Sequence, residues 1–198
     1  MNANVDALEK PIAAIDPTAV STETLPKWTL DATHSHAGFS VKHLMISNVK
    51  GEFRELAGEL QFDPLNIEHS SLLATLQVAS IETREASRDA HLKSADFFDA
   101  ATYPELTFRS TNWQHTSGDE LIVAGDLTIR GVTRPVKLNV ESTQIVKDPW
   151  GGSRIGFSGR TKINRKDFGL MWNAALEAGG FVVGDDVTIT LEAEFVKA

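Results

Sequence analysis

Two stretches of this chain set charged side chains beside large apolar ones: Arg88-Asp89-Ala90-His91-Leu92-Lys93-Ser94-Ala95-Asp96-Phe97-Phe98 and Asn164-Arg165-Lys166-Asp167-Phe168-Gly169. A pocket for an amphiphile needs that mixture, a greasy interior with a polar mouth. Arg88, Asp89 and His91 fall within one helical turn. Either Arg88 and Asp89 anchor that helix to the body of the protein, or Arg88 faces a phosphate or carbonyl head group. Arg165, Lys166 and Asp167 pose the same choice. If strand alternation continues from Ile163, Arg165 points inward and Lys166 outward, and an inward Arg needs carboxylate partners or an anionic ligand. Phe168, Met171 and Trp172 then lead into a run rich in Gly and Ala. That segment reads either as core or as a pliable wall over a lumen, with Met171 adapting to an irregular tail.

Other chemistries are less well supported. His34 and His36, two apart on an expected strand, would share a face and could chelate a metal. Against this, His36 and His43 fall on opposite faces, only Asp31 adds a carboxylate at usable spacing, and the chain contains no Cys. No metal site is expected, and His43 reads as an inward, hydrogen-bonded histidine near one end of the fold. Gly156-Phe157-Ser158-Gly159 falls one residue short of a Gly-x-Ser-x-Gly nucleophile elbow and sits inside an expected strand. No catalytic residues are assigned.

The charge balance argues against a polyanion partner. Asp plus Glu number 27 against 19 Lys plus Arg, a net charge of −8 over 198 residues, whereas nucleic acid is held by clustered cations. No apolar stretch approaches the roughly 18 residues of a membrane span. Residues 1–27 lack the apolar run of about 7–15 residues of a secretory leader, because Lys10, Asp16 and Glu23 interrupt every candidate. The expectation is a flexible arm over residues 1–26, a single domain over 27–198, and a cytoplasmic protein.

The elements that must position these groups are strands. From Trp28 onward apolar and polar residues alternate with period two: Phe39, Val41 and His43; Val49, Gly51 and Phe53; Leu72, Ala74 and Leu76; Leu106 and Phe108; Val123, Gly125 and Leu127; Val136, Leu138 and Val140; Ile155 and Phe157; Val187 to Phe195. Asp63-Pro64, Ser117-Gly118-Asp119, Arg130-Gly131 and Asp148-Pro149-Trp150-Gly151-Gly152 mark tight reversals between them, with Trp150 at a hairpin tip. Short connections imply antiparallel, mostly up-and-down pairing. Two segments break the rhythm: a helix over about 83–96, and a long connection over 164–185 with a short helix near 173–178. Eight or nine such strands make either a sandwich or a closed barrel, and eight can enclose one small ligand. Gly51, Ala74 and Gly125 on the inward face either leave room for that ligand or ease the curvature of the wall.

The same residues carry a family resemblance. Asp31-Ala-Thr-His34-Ser35 with Phe39-Ser-Val-Lys-His43, Ser80-Ile-Glu-Thr83, Arg88 to Phe98, Tyr103 to Thr111, Gly125 to Val136, Asp148-Pro-Trp-Gly151 and Ile163 to Gly169 resemble, in order and spacing, the YceI-like or polyisoprenoid-binding family. The resemblance covers roughly residues 27–196. It implies an eight-stranded antiparallel lipocalin-like barrel, frequently paired as a homodimer. The lumen would hold a long amphiphile, such as a polyisoprenoid, an isoprenoid quinone or a fatty acid or amide, for sequestration, storage or transport. It implies no established enzymatic activity and no obligatory cofactor. Parity then assigns the lumen wall to Phe39, Val41, Phe53, Phe108, Phe157, Phe168, Met171 and Trp172, and the head contacts to His43, Arg88, Asp89, Arg165 and Asp167. The rivals are an enzyme using a His/Asp pair on the same barrel, and an interaction protein whose own side chains fill it.

The energetics allow such a ligand. Each buried five-carbon prenyl unit is worth about 3–4 kcal/mol, at about 0.8 kcal/mol per CH₂. A few units suffice for tight binding, because ordering and desolvation costs remove much of the sum for a longer chain. Discrimination between tail lengths is therefore expected to be loose.

Overall fold

Alternation over long runs of β-branched and aromatic residues gives strands with one buried face, and here they close on themselves. The computed structural model describes residues 25–175 and 182–198, so the expected arm over 1–26 lies almost wholly outside the described residues. Among the described residues twelve strands form: β1 Lys27–Leu30, β2 His36–His43, β3 Ser47–Phe53, β4 Leu56–Gln61, β5 Ser71–Gln77, β6 Ile81–Glu82, β7 Glu105–Ser117, β8 Glu120–Ile129, β9 Val132–Ser142, β10 Val146–Lys147, β11 Ser153–Asn164 and β12 Val183–Lys197. The one α-helix among the described residues, α1, spans Ala86–Lys93.

The first six strands are three long strands, each interrupted once. β12 pairs with β1 through Leu30↔Phe195 and with β2 through Ala37↔Leu191. β1 and β2 are therefore one strand broken by the 3-10 turn Ala32–His34, which Asp31 caps by accepting from the Thr33 amide. β3 and β4 form their continuous partner, and β5 and β6 the next. Pairing runs on through β7, β8, β9, β11 and β12, and the β11–β12 ladder closes an eight-stranded antiparallel barrel. Closure removes the two long open edges of a flat sheet, and the short strands β6 and β10 are the ones paired on one side only among the described residues.

Both expected interruptions exist. The helix is shorter than the expected 83–96, because Glu85 caps it at one end, accepting from the Ser87 and Arg88 amides, and Ser94 closes the other. In the second interruption Asn164 accepts from the Lys166 amide and turns the chain into a 3-10 turn, Arg165–Phe168, ended by Gly169 at φ 77°. Residues 173–175 are not helical, and the remainder of the short helix expected over 173–178 lies outside the described residues.

The two ends of the barrel are packed differently. At the end holding the β7–β8 hairpin, Trp28, Leu60, Phe62, Trp113, Phe157 and Phe195 form one buried cluster. Its rings meet edge to face, Phe62 against Phe157 at 5.5 Å and Phe157 against Phe195 at 5.9 Å, the arrangement favoured by the ring quadrupole. At the opposite end Phe53, Val78, Ile81, Leu106, Ile129, Phe168 and Leu170 form a second cluster beneath α1.

Gly51 and Gly125 do not leave space. A Cβ on Gly51 would lie 2.4 Å from the Phe39 ring, and one on Gly125 would lie 2.4 Å from the Phe108 ring. Each glycine is the bed for a neighbouring aromatic. Ala74 is the small residue that does border empty lumen.

An ion-pair strap ties the packed end together. Arg154 donates to Asp148 at 2.9 Å, to Asp31 at 2.9 Å and to Glu194. The His34 ring and then the Arg154 guanidinium hold the Asp31 carboxyl below its ordinary value of 3.8. A carboxylate depressed in the folded state contributes stability above its unfolded pKa, and that contribution is lost as pH falls below it. The melting temperature should therefore start to drop as pH falls through about 4. Arg154→Met should melt lower than wild type at neutral pH and show a flatter decline in acid, in thermal melts from pH 7 to 3.

Candidate functional site

Three cavities lie in line along the barrel. The first, about 90 Å³, sits above the packed end between Leu60, Trp113, Phe157 and Phe195. The second, about 130 Å³, sits mid-barrel between Phe39, Phe53, Phe108 and Ile189. They share Ala37, Leu72, Ala74, Leu76, Leu138 and Leu191 as walls, so one apolar space is pinched rather than divided. The third, about 310 Å³, lies under α1 and is bordered by Val41, His43, Arg88, His91, Phe97 and Trp172. Phe39 borders both the second and the third. An apolar void of roughly 150 Å³ takes a group the size of benzene. The middle cavity thus has room for about one prenyl unit, and a longer tail must continue into its neighbours.

Strand alternation positions the wall. Phe39, Val41 and His43 share the inward face of β2, and Ile189 and Leu191 that of β12 in register with Phe39 and Ala37. α1 supplies the outer roof. Arg88 donates from Nε to Thr83 Oγ1 and from Nη2 to the Thr83 carbonyl, both at 2.7 Å, while Asp89 accepts from the Thr83 amide at 2.8 Å and from its hydroxyl. Thr83 is 4 % exposed. Arg88 and Asp89 thus lock the helix to the end of β6. Arg88 still borders the outer cavity, whereas Asp89 does not.

The outer cavity has an aromatic latch. The His91 ring stands edge-on to Trp172 at 4.8 Å and to Phe97 at 5.1 Å, and its Nε2 lies 3.0 Å from Asp96 Oδ2. Trp172 comes from the connection between β11 and β12. Periodicity could not show that these segments meet, and His91 was not among the residues assigned from sequence to the ligand.

Arg165 is buried as the continued alternation required, at 3 % exposure, but it serves the chain itself. Its Nε donates to the Gly184 carbonyl at 2.9 Å, Nη1 to the carbonyls of Leu170 and, at 2.9 Å, Trp172, and Nη2 to Asp185 at 3.3 Å. Burial pulls its pKa below the ordinary guanidinium range, and Asp185 opposes that shift. With four of its five N–H donors on these partners, Arg165 braces the segment carrying Trp172 and borders none of the three cavities. Asp167 is exposed and Met171 is 60 % exposed, because the 3-10 turn ends the alternation that would have turned them inward. Phe168, 1 % exposed, is packed core rather than cavity wall. The His43 ring borders the outer cavity with no side-chain hydrogen-bond partner among the described residues, unlike the hydrogen-bonded histidine expected there.

His34 and His36 do not share a face. His34 ends the 3-10 turn 3.0 Å from Asp31, and His36 opens β2 2.8 Å from Glu52. Asp31, His34 and Glu194 do converge, but Arg154 lies among them and already supplies the cationic partner of both carboxylates.

Comparison with known proteins agrees with this architecture. A UPF0312 protein of Vibrio cholerae serotype O1 is 41 % identical over 145 residues, covering 72 % of this chain and 77 % of its own. The protein YceI of Escherichia coli O157:H7 is 41 % identical over 140 residues, covering 71 % and 73 %. Among solved structures, Burkholderia cenocepacia BcnA superposes with a TM-score of 0.73 at 26 % identity, covering 83 % of this chain and 98 % of that one. A polyisoprenoid binding domain from Saccharophagus degradans shares the fold at a TM-score of 0.64 and 17 % identity, covering 86 % and 98 %. Residues 28–195 match the YceI-like domain as a whole, the same span that closes into the barrel. The chain belongs to the YceI-like family.

Proposed function

We propose that this barrel binds a long amphiphilic lipid (a polyisoprenoid, an isoprenoid quinone or a fatty acid or amide) with its tail in the pinched lumen and its head under α1. The lipid would be held for sequestration, storage or transport. The carrying observation is the line of cavities, apolar at depth and bordered by Lys42, His43, Arg88 and His91 at the outer end. The Saccharophagus degradans domain of the same fold is named for polyisoprenoid binding, which points the same way. Two or three prenyl units in the lumen would contribute about 6–12 kcal/mol before ordering costs.

A second reading draws on the His91–Asp96 pair beside the outer cavity, the arrangement a His/Asp general base would need. Binding is favoured, because Ser87, the hydroxyl nearest in sequence on that wall, donates to Glu85 at 2.7 Å and so points its proton away from His91. Native mass spectrometry of the full chain mixed with a prenyl quinone tests the choice. A complex of one lipid per chain, with the lipid recovered unaltered, is expected. No complex would defeat the binding reading, and a converted lipid would favour the enzyme.

A further inference from the structure

We infer that the tip of the β2–β3 hairpin, Leu44-Met45-Ile46, docks this barrel mouth-first onto a phospholipid bilayer. Met45 is 70 % and Ile46 83 % exposed, and Met171, 60 % exposed, precedes Trp172 on the other side of the mouth. Single exposed apolar residues are ordinary, so exposure alone would decide nothing. The backbone at the tip is the second observation. Leu44 and Met45 both have positive φ, 52° and 60°, and the Ile46 amide closes the turn onto the His43 carbonyl at 3.0 Å. A turn with two positive-φ central residues is ordinarily filled by Asn-Gly, which adopts it without strain. Two large apolar residues are strained there, so local stability has been given up at a tip that holds Met45 and Ile46 outward.

Position and charge identify the partner. The Leu44 amide donates to the Val182 carbonyl at 2.9 Å, and His43 and Val182 both border the outer cavity. The tip therefore stands on the rim of the opening through which a lipid would pass. The polar side chains bordering that cavity are Lys42, His43, Ser87, Arg88 and His91, with no carboxylate among the described residues, in a chain of net charge −8. Of the acids nearby, Asp185 pairs with Arg165 and Lys166, Asp186 with Lys162, Asp89 accepts from Thr83 and Glu85 from the first amides of α1, so Lys42 and Arg88 are the charged side chains that border the recess. An apolar tip beside a cationic recess fits acyl chains beneath lipid phosphates.

The test uses the full chain and vesicles of phosphatidylethanolamine and phosphatidylglycerol, comparing wild type with the double variant Met45→Asn, Ile46→Ser. Wild type should float with the vesicles, and the vesicle-bound partition should fall about tenfold or more in the variant, the loss expected from two buried apolar side chains. Its melting temperature should not fall, since Asn tolerates positive φ. Uptake of a prenyl quinone from detergent solution should be unchanged, while transfer from vesicles should slow. Equal flotation of the two proteins would overturn the inference, as would a wild type that never floats. So would a wild-type dimer that the variant splits into monomers with no vesicle binding, since the tip would then be a seam between copies. Detergent-phase uptake separates this from lumenal binding: flotation without uptake removes only the lumen reading, and uptake without flotation removes only the docking.

Discussion

Ala74→Phe is expected to weaken binding of a prenyl quinone by two to three orders of magnitude while leaving the barrel folded. Ala74 borders both inner cavities and is only partly buried, so a phenyl ring placed there projects into empty lumen rather than into packed atoms. The ring removes space for roughly one prenyl unit, worth about 3–4 kcal/mol, and each 1.4 kcal/mol is about tenfold in affinity. Overfilling a tight core costs about 1–3 kcal/mol, and here the existing void should keep the penalty at the lower end or turn it into a gain. Fluorescence titration with the quinone, paired with thermal melts, checks both halves. Undiminished affinity in a folded variant would mean that the tail lies elsewhere.

Arg165→Met should cost about 3–5 kcal/mol of stability, since three carbonyls lose their donor at about 1 kcal/mol or more each. The carbonyls of Gly184, Leu170 and Trp172 would lose their donors together, and Asp185 would retain only Lys166. Arg165→Lys should recover little of this, because a single ammonium cannot reproduce a planar fork spread over three carbonyls. At about 2–4 °C per kcal/mol for a chain of this size, the melting temperature should fall by roughly 6–20 °C. Because Trp172 is held at the mouth partly through that carbonyl, the near-ultraviolet dichroism of the folded variant should change as well. A loss below about 1 kcal/mol would show that Arg165 does not brace the connection.

The strands were legible because alternation of Val, Ile, Leu and Phe reports a half-buried face directly, most clearly in β8 from Leu121 to Ile129 and in β12 from Val187 to Phe195. The inward set Phe39, Val41 and His43 came from the same parity, and the structure places all three on cavity walls. Parity failed where backbone chemistry changed. Asn164 caps a turn, and the residues after it obey a 3-10 geometry in which Asp167 and Met171 face out. Arg165 looked like a head-group ligand because the carbonyls that satisfy it come from an irregular segment with no sequence signature. The glycines left two readings open for a related reason: whether a missing side chain means space depends on a cross-strand ring, Phe39 or Phe108, that only pairing register reveals. The β2–β3 turn was invisible because Leu-Met carries no turn signal at all.

The most direct measurement is a crystal structure of the full chain grown with a prenyl quinone. Elongated density should run from beside Phe157, past Ala74 and a displaced Phe39 ring, to the quinone head between Arg88, His91 and Trp172. A barrel with Phe39 in place and its cavities empty at saturating quinone would contradict lumenal binding.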